Sequence, residues 1–130
     1  MSGRLNKAKK FYSSTEKSSI KAQDPIAIVK TMVKELQSSM NIVVNSTGKE
    51  QERVVRTKYF SRSLVIIYTL QTTLDFEKGQ KLAAKLFQIY EFCRQQLIKC
   101  FREQVVDGTQ KAISALEDIF SINMVKSNAQ

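Results

Sequence analysis

The 130-residue chain contains no histidine, one proline and four glycines. Without histidine it lacks the commonest general base of enzymes, and a metal site of the mixed cysteine–histidine kind is excluded as well. It also has no glycine-rich phosphate loop and neither a serine-nucleophile nor a zinc-protease motif. Asp75 and Glu77 stand at the start of a predicted helix, where carboxylates normally serve the helix dipole. We therefore predict no catalytic residues, no metal and no cofactor.

Long hydrophobic runs are absent too. The longest strongly apolar run, Leu64 to Tyr68, is far shorter than the roughly 20 residues that span a bilayer. The basic start of the chain is not followed by the apolar segment of a signal peptide. We therefore expect a cytoplasmic protein with no membrane span.

The two cysteines are expected to be free, buried thiols. Cys93 and Cys100 lie in one helical pattern, which places them about 10 Å apart along the helix axis. A disulfide needs Cα atoms within about 7 Å of each other, so these two residues cannot pair. Buried thiols of this kind are ordinary in a reducing compartment.

The net charge of +9 is concentrated at the beginning of the chain. Residues 1–22 carry six lysines or arginines and one glutamate, which is more than half of the excess. Such an arm could contact nucleic acid, an acidic membrane surface or an acidic protein, or could be a solvated tail. We expect a flexible basic arm over 1–22, a folded domain over 23–124 and a frayed tail over 125–130.

The rest of the sequence favours four helices. Pro25, Gly48, Gly79 and Gly108 divide it, and Asp24 can cap a helix that has Pro25 in its first position. The second helix is predicted over about 49–72, the third over about 76–103, and the fourth after residue 107. Residues 65–67 are β-branched and could form a strand, but no partner strand is apparent. In the predicted helices apolar residues recur at three- and four-residue steps: Ile26, Val29, Val33, Leu36, Met40 and Val43; Phe60, Leu64, Ile67, Leu70 and Leu74; Leu82, Leu86, Ile89, Cys93, Leu97 and Cys100; Ala112, Ile113, Leu116, Ile119 and Phe120.

Short turns make sequential helices antiparallel neighbours. The sequence therefore predicts an all-α protein, an antiparallel up-down four-helix bundle.

One segment carries a more specific pattern. Residues 74–92 read LDFEKGQKLAAKLFQIYEF, and they are followed by Arg94 and Leu97. This segment resembles the central signature of the flagellin export chaperone family FliS, which reads Leu-Asp-x-Glu-x-Gly at the turn into its third helix. The family continues with an apolar residue, alanine, leucine and an aromatic-rich step, and then with a basic residue and a leucine. The chain departs from the family at Lys85, where an asparagine is common.

The resemblance implies a chaperone of flagellum biogenesis that binds the disordered C-terminal segment of flagellin. It would prevent premature polymerisation and deliver flagellin to the export apparatus, with export-gate components as further partners and no nucleic acid. The alternatives are a helical-bundle adaptor or scaffold for another protein and, third, a basic nucleic-acid-binding helical protein.

The apolar residues that widen the second and third helical stripes are our candidates for a flagellin-binding groove, with the alternative that they only widen the core. An aromatic N-terminal segment can cover the empty groove in the family, and the arm contains apolar residues that a packed core does not explain. The groove candidates are Tyr59, Ile66, Phe87, Tyr90 and Leu97, and the candidate cover residues are Phe11, Tyr12 and Ile20.

Overall fold

The computed structural model describes residues 24–121. Within this range the chain forms four α-helices, with one 3-10 turn before the second, and it contains no strand. The helices are α1 (Pro25–Ser46), α2 (Arg53–Thr72), α3 (Phe76–Glu103) and α4 (Asp107–Ile119), and the 3-10 turn is Glu50–Glu52. The β-branched residues 65–67 lie in α2, so the helical interpretation of that cluster is confirmed.

Each helix packs against the next one in the chain, and α1 also packs against α4. Because the connections are short, neighbouring helices run antiparallel and the bundle closes on itself. The predicted up-down four-helix bundle is confirmed. The domain boundaries near residues 22 and 125 stay predictions, since they fall outside the described residues. No helix between residues 24 and 121 combines the length and apolarity needed to cross a bilayer.

The starts of α1 and α3 are fixed by aspartate caps. The Asp24 carboxylate accepts a hydrogen bond of 3.0 Å from the Ile26 N–H, and Pro25 occupies the first helical position. The Asp75 carboxylate accepts bonds of 3.1 and 3.0 Å from the N–H groups of Glu77 and Lys78. These bonds satisfy donors that a helix start leaves without intrahelical partners. The prediction that acidic residues here serve a helix start is therefore confirmed.

The turn between α1 and α2 depends on Gly48 and Arg56. Gly48 has φ +82°, a left-handed conformation that glycine adopts without a steric penalty. The Arg56 guanidinium donates to the carbonyl of Ser46 at 2.5 Å and to that of Lys49 at 3.1 Å. The last carbonyl of α1 and a carbonyl of the connecting turn thus gain a charged donor from α2, which ties the two helices together.

Gly79 does not separate α2 from α3, although it was one of the predicted helix dividers. It lies inside α3, directly before a kink at Gln80, whose backbone has φ 44° and ψ −119°. A Cβ atom added at Gly79 would lie 2.8 Å from Cβ of Ala83, closer than side-chain atoms normally approach. The segment 76–79 is therefore a short helical turn that the kink at Gln80 separates from the rest of α3.

The core draws on all four helices, and both cysteines are buried and free, as predicted. On α2 the buried face differs from the predicted stripe, because Ser63 and Ile66 are buried whereas Phe60 and Leu64 are only partly buried. The Ser63 hydroxyl donates to the Tyr59 carbonyl at 2.8 Å, so its polar group is satisfied within its own helix. Burial of this small residue turns the inner face of α2 toward Ile66.

Candidate partner-binding surface

Three of the five predicted groove residues lie in the hydrophobic core. Ile66, Tyr90 and Leu97 are all buried, and Tyr90 is one of the largest fully buried side chains among the described residues. Tyr90 follows Leu86 by four residues and precedes Cys93 by three, so it belongs to the inner stripe of α3. In this arrangement the three side chains pack the helices together, and a partner could touch them only after the core had rearranged.

The other two predicted groove residues are accessible but lie apart. Phe87 is 39% exposed, and its ring centroid lies 6.0 Å from that of Phe76. Tyr59 is half-buried, with the Lys58 ammonium 5.5 Å from its ring centroid. Phe60, the next residue along α2, faces α3. Adjacent residues of a helix are turned by about 100° about its axis, so Tyr59 points to a different side of α2. The structure therefore does not bring the five residues into one groove.

The predicted cover residues Phe11, Tyr12 and Ile20 lie outside the described residues. Their role stays a prediction.

A different set of apolar side chains is exposed on α2 and α3. Tyr68 is 69% exposed and Phe76 50%, and Val65 is exposed as well. Single exposed apolar residues are normal on a protein surface, whereas neighbouring ones can mark an interaction site. The sequence analysis missed Tyr68 and Phe76 as site residues. The available signal was that Tyr68 follows Leu64, a residue of the predicted stripe, by four residues and so lies beside it on α2.

Two contacts fix how α2 and α3 lie against each other. The rings of Phe60 and Phe101 stack with centroids 4.1 Å apart and planes 7° apart. Nearer the other end of the pair, the Gln71 amide donates to Glu91 Oε2 at 3.1 Å. In antiparallel helices, each step back along α2 corresponds to an equal step forward along α3. Starting from the pair 71 and 91, positions 68 and 94 therefore lie level with each other, as do positions 64 and 98.

These contacts define one surface, which we call the α2–α3 face. On α3, residues 87, 91, 94 and 98 follow the spacing of a single helix face, and on α2 residues 64, 68 and 71 do the same. The face is about 16 Å long from position 87 to position 98. Its apolar members are Leu64, Tyr68, Phe76, Phe87 and Ile98, of which Leu64 and Ile98 are half-buried.

A polar cluster interrupts this face near its middle. Arg94 donates from Nε to Glu91 Oε1 at 2.7 Å and from Nη2 to the same oxygen, while Gln71 donates to Glu91 Oε2. The hydrogen bonds from Arg94, and then that from Gln71, hold the pKa of the Glu91 carboxyl below its usual value. The same ion pair raises the pKa of Arg94. We call these three residues the polar bridge.

A cleft of about 500 Å³ lies between α1 and α4, away from the α2–α3 face. Lys30, Lys34, Gln37 and Glu117 are among the residues that line it. Its lining is mixed and contains no nucleophile paired with a base, which is the arrangement that covalent catalysis requires. The α2–α3 face, with its neighbouring aromatic side chains, is therefore the stronger candidate for a functional surface.

Comparison with known proteins identifies a family. A family model described as flagellar protein FliS matches residues 7–122. No curated protein and no solved structure matches the chain significantly. FliS proteins are chaperones of flagellum biogenesis and export and are not known as enzymes. Because the match extends over nearly the whole chain, this protein belongs to the FliS family of flagellar chaperones.

Proposed function

We propose that this chain is a cytoplasmic export chaperone that binds the disordered C-terminal segment of flagellin. It prevents that segment from polymerising prematurely and delivers flagellin to the export apparatus. Membership of the FliS family supports the proposal. The structural observation that carries it is the α2–α3 face, an exposed and largely apolar surface with aromatic side chains.

The dimensions of the face suit a helical ligand. An amphipathic helix docks through apolar anchors spaced at i, i+3, i+4 and i+7, and a length of about 16 Å accommodates about three turns. Aromatic side chains such as Tyr68 and Phe87 are effective anchors, because they bury a large area at a small cost in side-chain entropy. The free energy of binding therefore comes chiefly from apolar surface on both partners.

A disordered partner suits the same surface. A segment that folds as it binds can cover a long, shallow face that a rigid protein would contact only in part. Once it is bound, the apolar side of the flagellin helix is covered and cannot pack against other flagellin subunits. Binding and the block on polymerisation are thus the same physical event in this proposal.

Calorimetry with the C-terminal peptide of the cognate flagellin tests the proposal. We expect one peptide per chain, a negative change in heat capacity from apolar burial, and a gain of helical circular dichroism. We also expect affinity to depend weakly on salt, in contrast to the steep dependence of a nucleic-acid-binding protein. The absence of both heat and helix gain would exclude flagellin as the partner.

A further inference from the structure

The polar bridge lies in the one part of the α2–α3 face where a purely apolar ligand would be poorly matched. Phe87 lies on one side of it along α3 and Ile98 on the other, with Glu91 and Arg94 between them. Gln71 crosses from α2 to reach Glu91. A helix bound along the face would have to cover this cluster.

Within the polar bridge the Glu91 carboxylate has hydrogen-bond partners for both oxygens, whereas some polar atoms of Arg94 and Gln71 have none in the described part of the chain. Both oxygens of Glu91 accept hydrogen bonds, two from Arg94 and one from Gln71. A guanidinium has five N–H donors, so Arg94 keeps three that have no partner among residues 24–121. The Gln71 carbonyl oxygen likewise accepts no hydrogen bond there. Because the Arg94 side chain is 43% exposed, water can reach these groups in the free protein.

A ligand that covers the bridge removes that water. An apolar side chain would leave the Arg94 donors and the Gln71 acceptor without partners, and the lost affinity would be about tenfold or more. A ligand carboxylate could accept from Arg94 but would face the Glu91 carboxylate. A ligand lysine or arginine would meet the positive charge of Arg94.

A carboxamide avoids both problems, because it is uncharged and has a carbonyl acceptor and an N–H donor side by side. We propose that the polar bridge selects a helical segment that carries asparagine or glutamine between two apolar anchors and thereby fixes the register of the bound segment. This inference rests on the proposed function. A helix with anchors at i and i+11 over Phe87 and Ile98 would place its i+4 or i+7 residue over the bridge.

The experiment couples changes in the ligand to changes in the bridge. In the C-terminal peptide of the cognate flagellin, each asparagine and glutamine is replaced in turn by leucine. Affinity is measured for the wild-type chain and for the triple variant Gln71→Leu, Glu91→Leu, Arg94→Met, which makes the bridge apolar. We expect one peptide position at which leucine lowers affinity about tenfold for the wild type and has no effect, or a favourable one, for the triple variant.

Two further variants keep the result interpretable. Lys85→Met removes an exposed cation on the other side of α3, since two helical steps turn it by about 200° from Phe87, and should reproduce the wild-type pattern. Gln71→Leu alone removes the Gln71 acceptor together with its hydrogen bond to Glu91 but keeps Arg94, and it should give a smaller loss of the same coupling, which provides a test if the triple variant does not fold. If the peptide binds but each of its substitutions has the same effect on affinity in the wild type and in the triple variant, this inference alone would be overturned. Failure of the unsubstituted peptide to bind the wild type would overturn the proposed function as well.

Discussion

Replacement of Gln80 by glycine tests the kink at the start of α3. The Gln80 backbone has φ 44° and ψ −119°, a conformation that costs a residue with a side chain about 1–3 kcal/mol. Glycine adopts it readily, although it gives up about 0.5–1 kcal/mol through the greater freedom of the unfolded chain. The net effect of Gln80→Gly should therefore be an increase of about 1 kcal/mol in the free energy of unfolding. For a domain of this size the midpoint of thermal unfolding should rise by about 4–8 °C.

Circular dichroism during thermal and urea unfolding provides the measurement. Gln88→Gly is the matched control, since Gln88 is an exposed glutamine in the regular part of the same helix. Glycine there should lower the free energy of unfolding by about 1 kcal/mol, as in other exposed helix interiors. If both variants lost stability equally, the backbone at Gln80 would be ordinary helix and the reasoning would be refuted.

Three other predictions follow from burial and from the arm. Tyr90→Ala should lower the free energy of unfolding by about 3–5 kcal/mol in urea titrations, whereas Phe87→Ala should cost less than about 1 kcal/mol. Equal losses would contradict the assignment of Tyr90 to the core. Burial raises the pKa of the Cys93 thiol to about 12, so the folded state favours the protonated thiol. The contribution of this thiol to the free energy of unfolding is complete below pH ~8.5 and is lost as the pH rises toward the folded pKa. Between these pH values the free energy of unfolding should therefore fall less steeply in Cys93→Ala than in the wild type. Removal of residues 1–16 should tighten flagellin binding if the arm covers the groove; unchanged affinity at both low and high salt would mean that the arm is passive.

The helix starts could be predicted because their signals are local. Asp24 with Pro25, and Asp75 ahead of α3, act on N–H groups two or three residues away, so the sequence displays both donor and acceptor. The recurrence of apolar residues at three- and four-residue steps, divided by Pro25 and the glycines, indicated that there are four helices. Short connections then restricted the topology to an up-down bundle.

It was harder to predict which side of each helix faces the core. A wide apolar stripe does not reveal which of its edges points inward, and Tyr90 could belong either to the core or to a groove on spacing alone. Because Ser63 is buried, the inner face of α2 is rotated relative to the predicted stripe, and Ile66 lies on it. The hydrogen bond that permits this burial forms within the helix, whereas the choice of face is made by packing against other helices.

The α2–α3 face depends on contacts between distant parts of the chain. The stacking of Phe60 on Phe101 and the bond from Gln71 to Glu91 set the register of the two helices. Only this register places position 68 level with position 94. Sequence spacing indicates which residues share a face of one helix, but it does not align that face with a neighbouring helix.

The affinity of two matched variants for the cognate flagellin C-terminal peptide tests the central claim most directly. Phe87→Asp places a charge on the α2–α3 face, whereas Val54→Asp places one at an 82% exposed valine at the far end of α2. Both variants should keep the helical circular dichroism of the wild type, because neither side chain is buried. The account predicts that Phe87→Asp weakens binding at least about tenfold and that Val54→Asp leaves it unchanged. Unchanged affinity in Phe87→Asp, or equal losses in both variants, would contradict the claim that flagellin binds on this face.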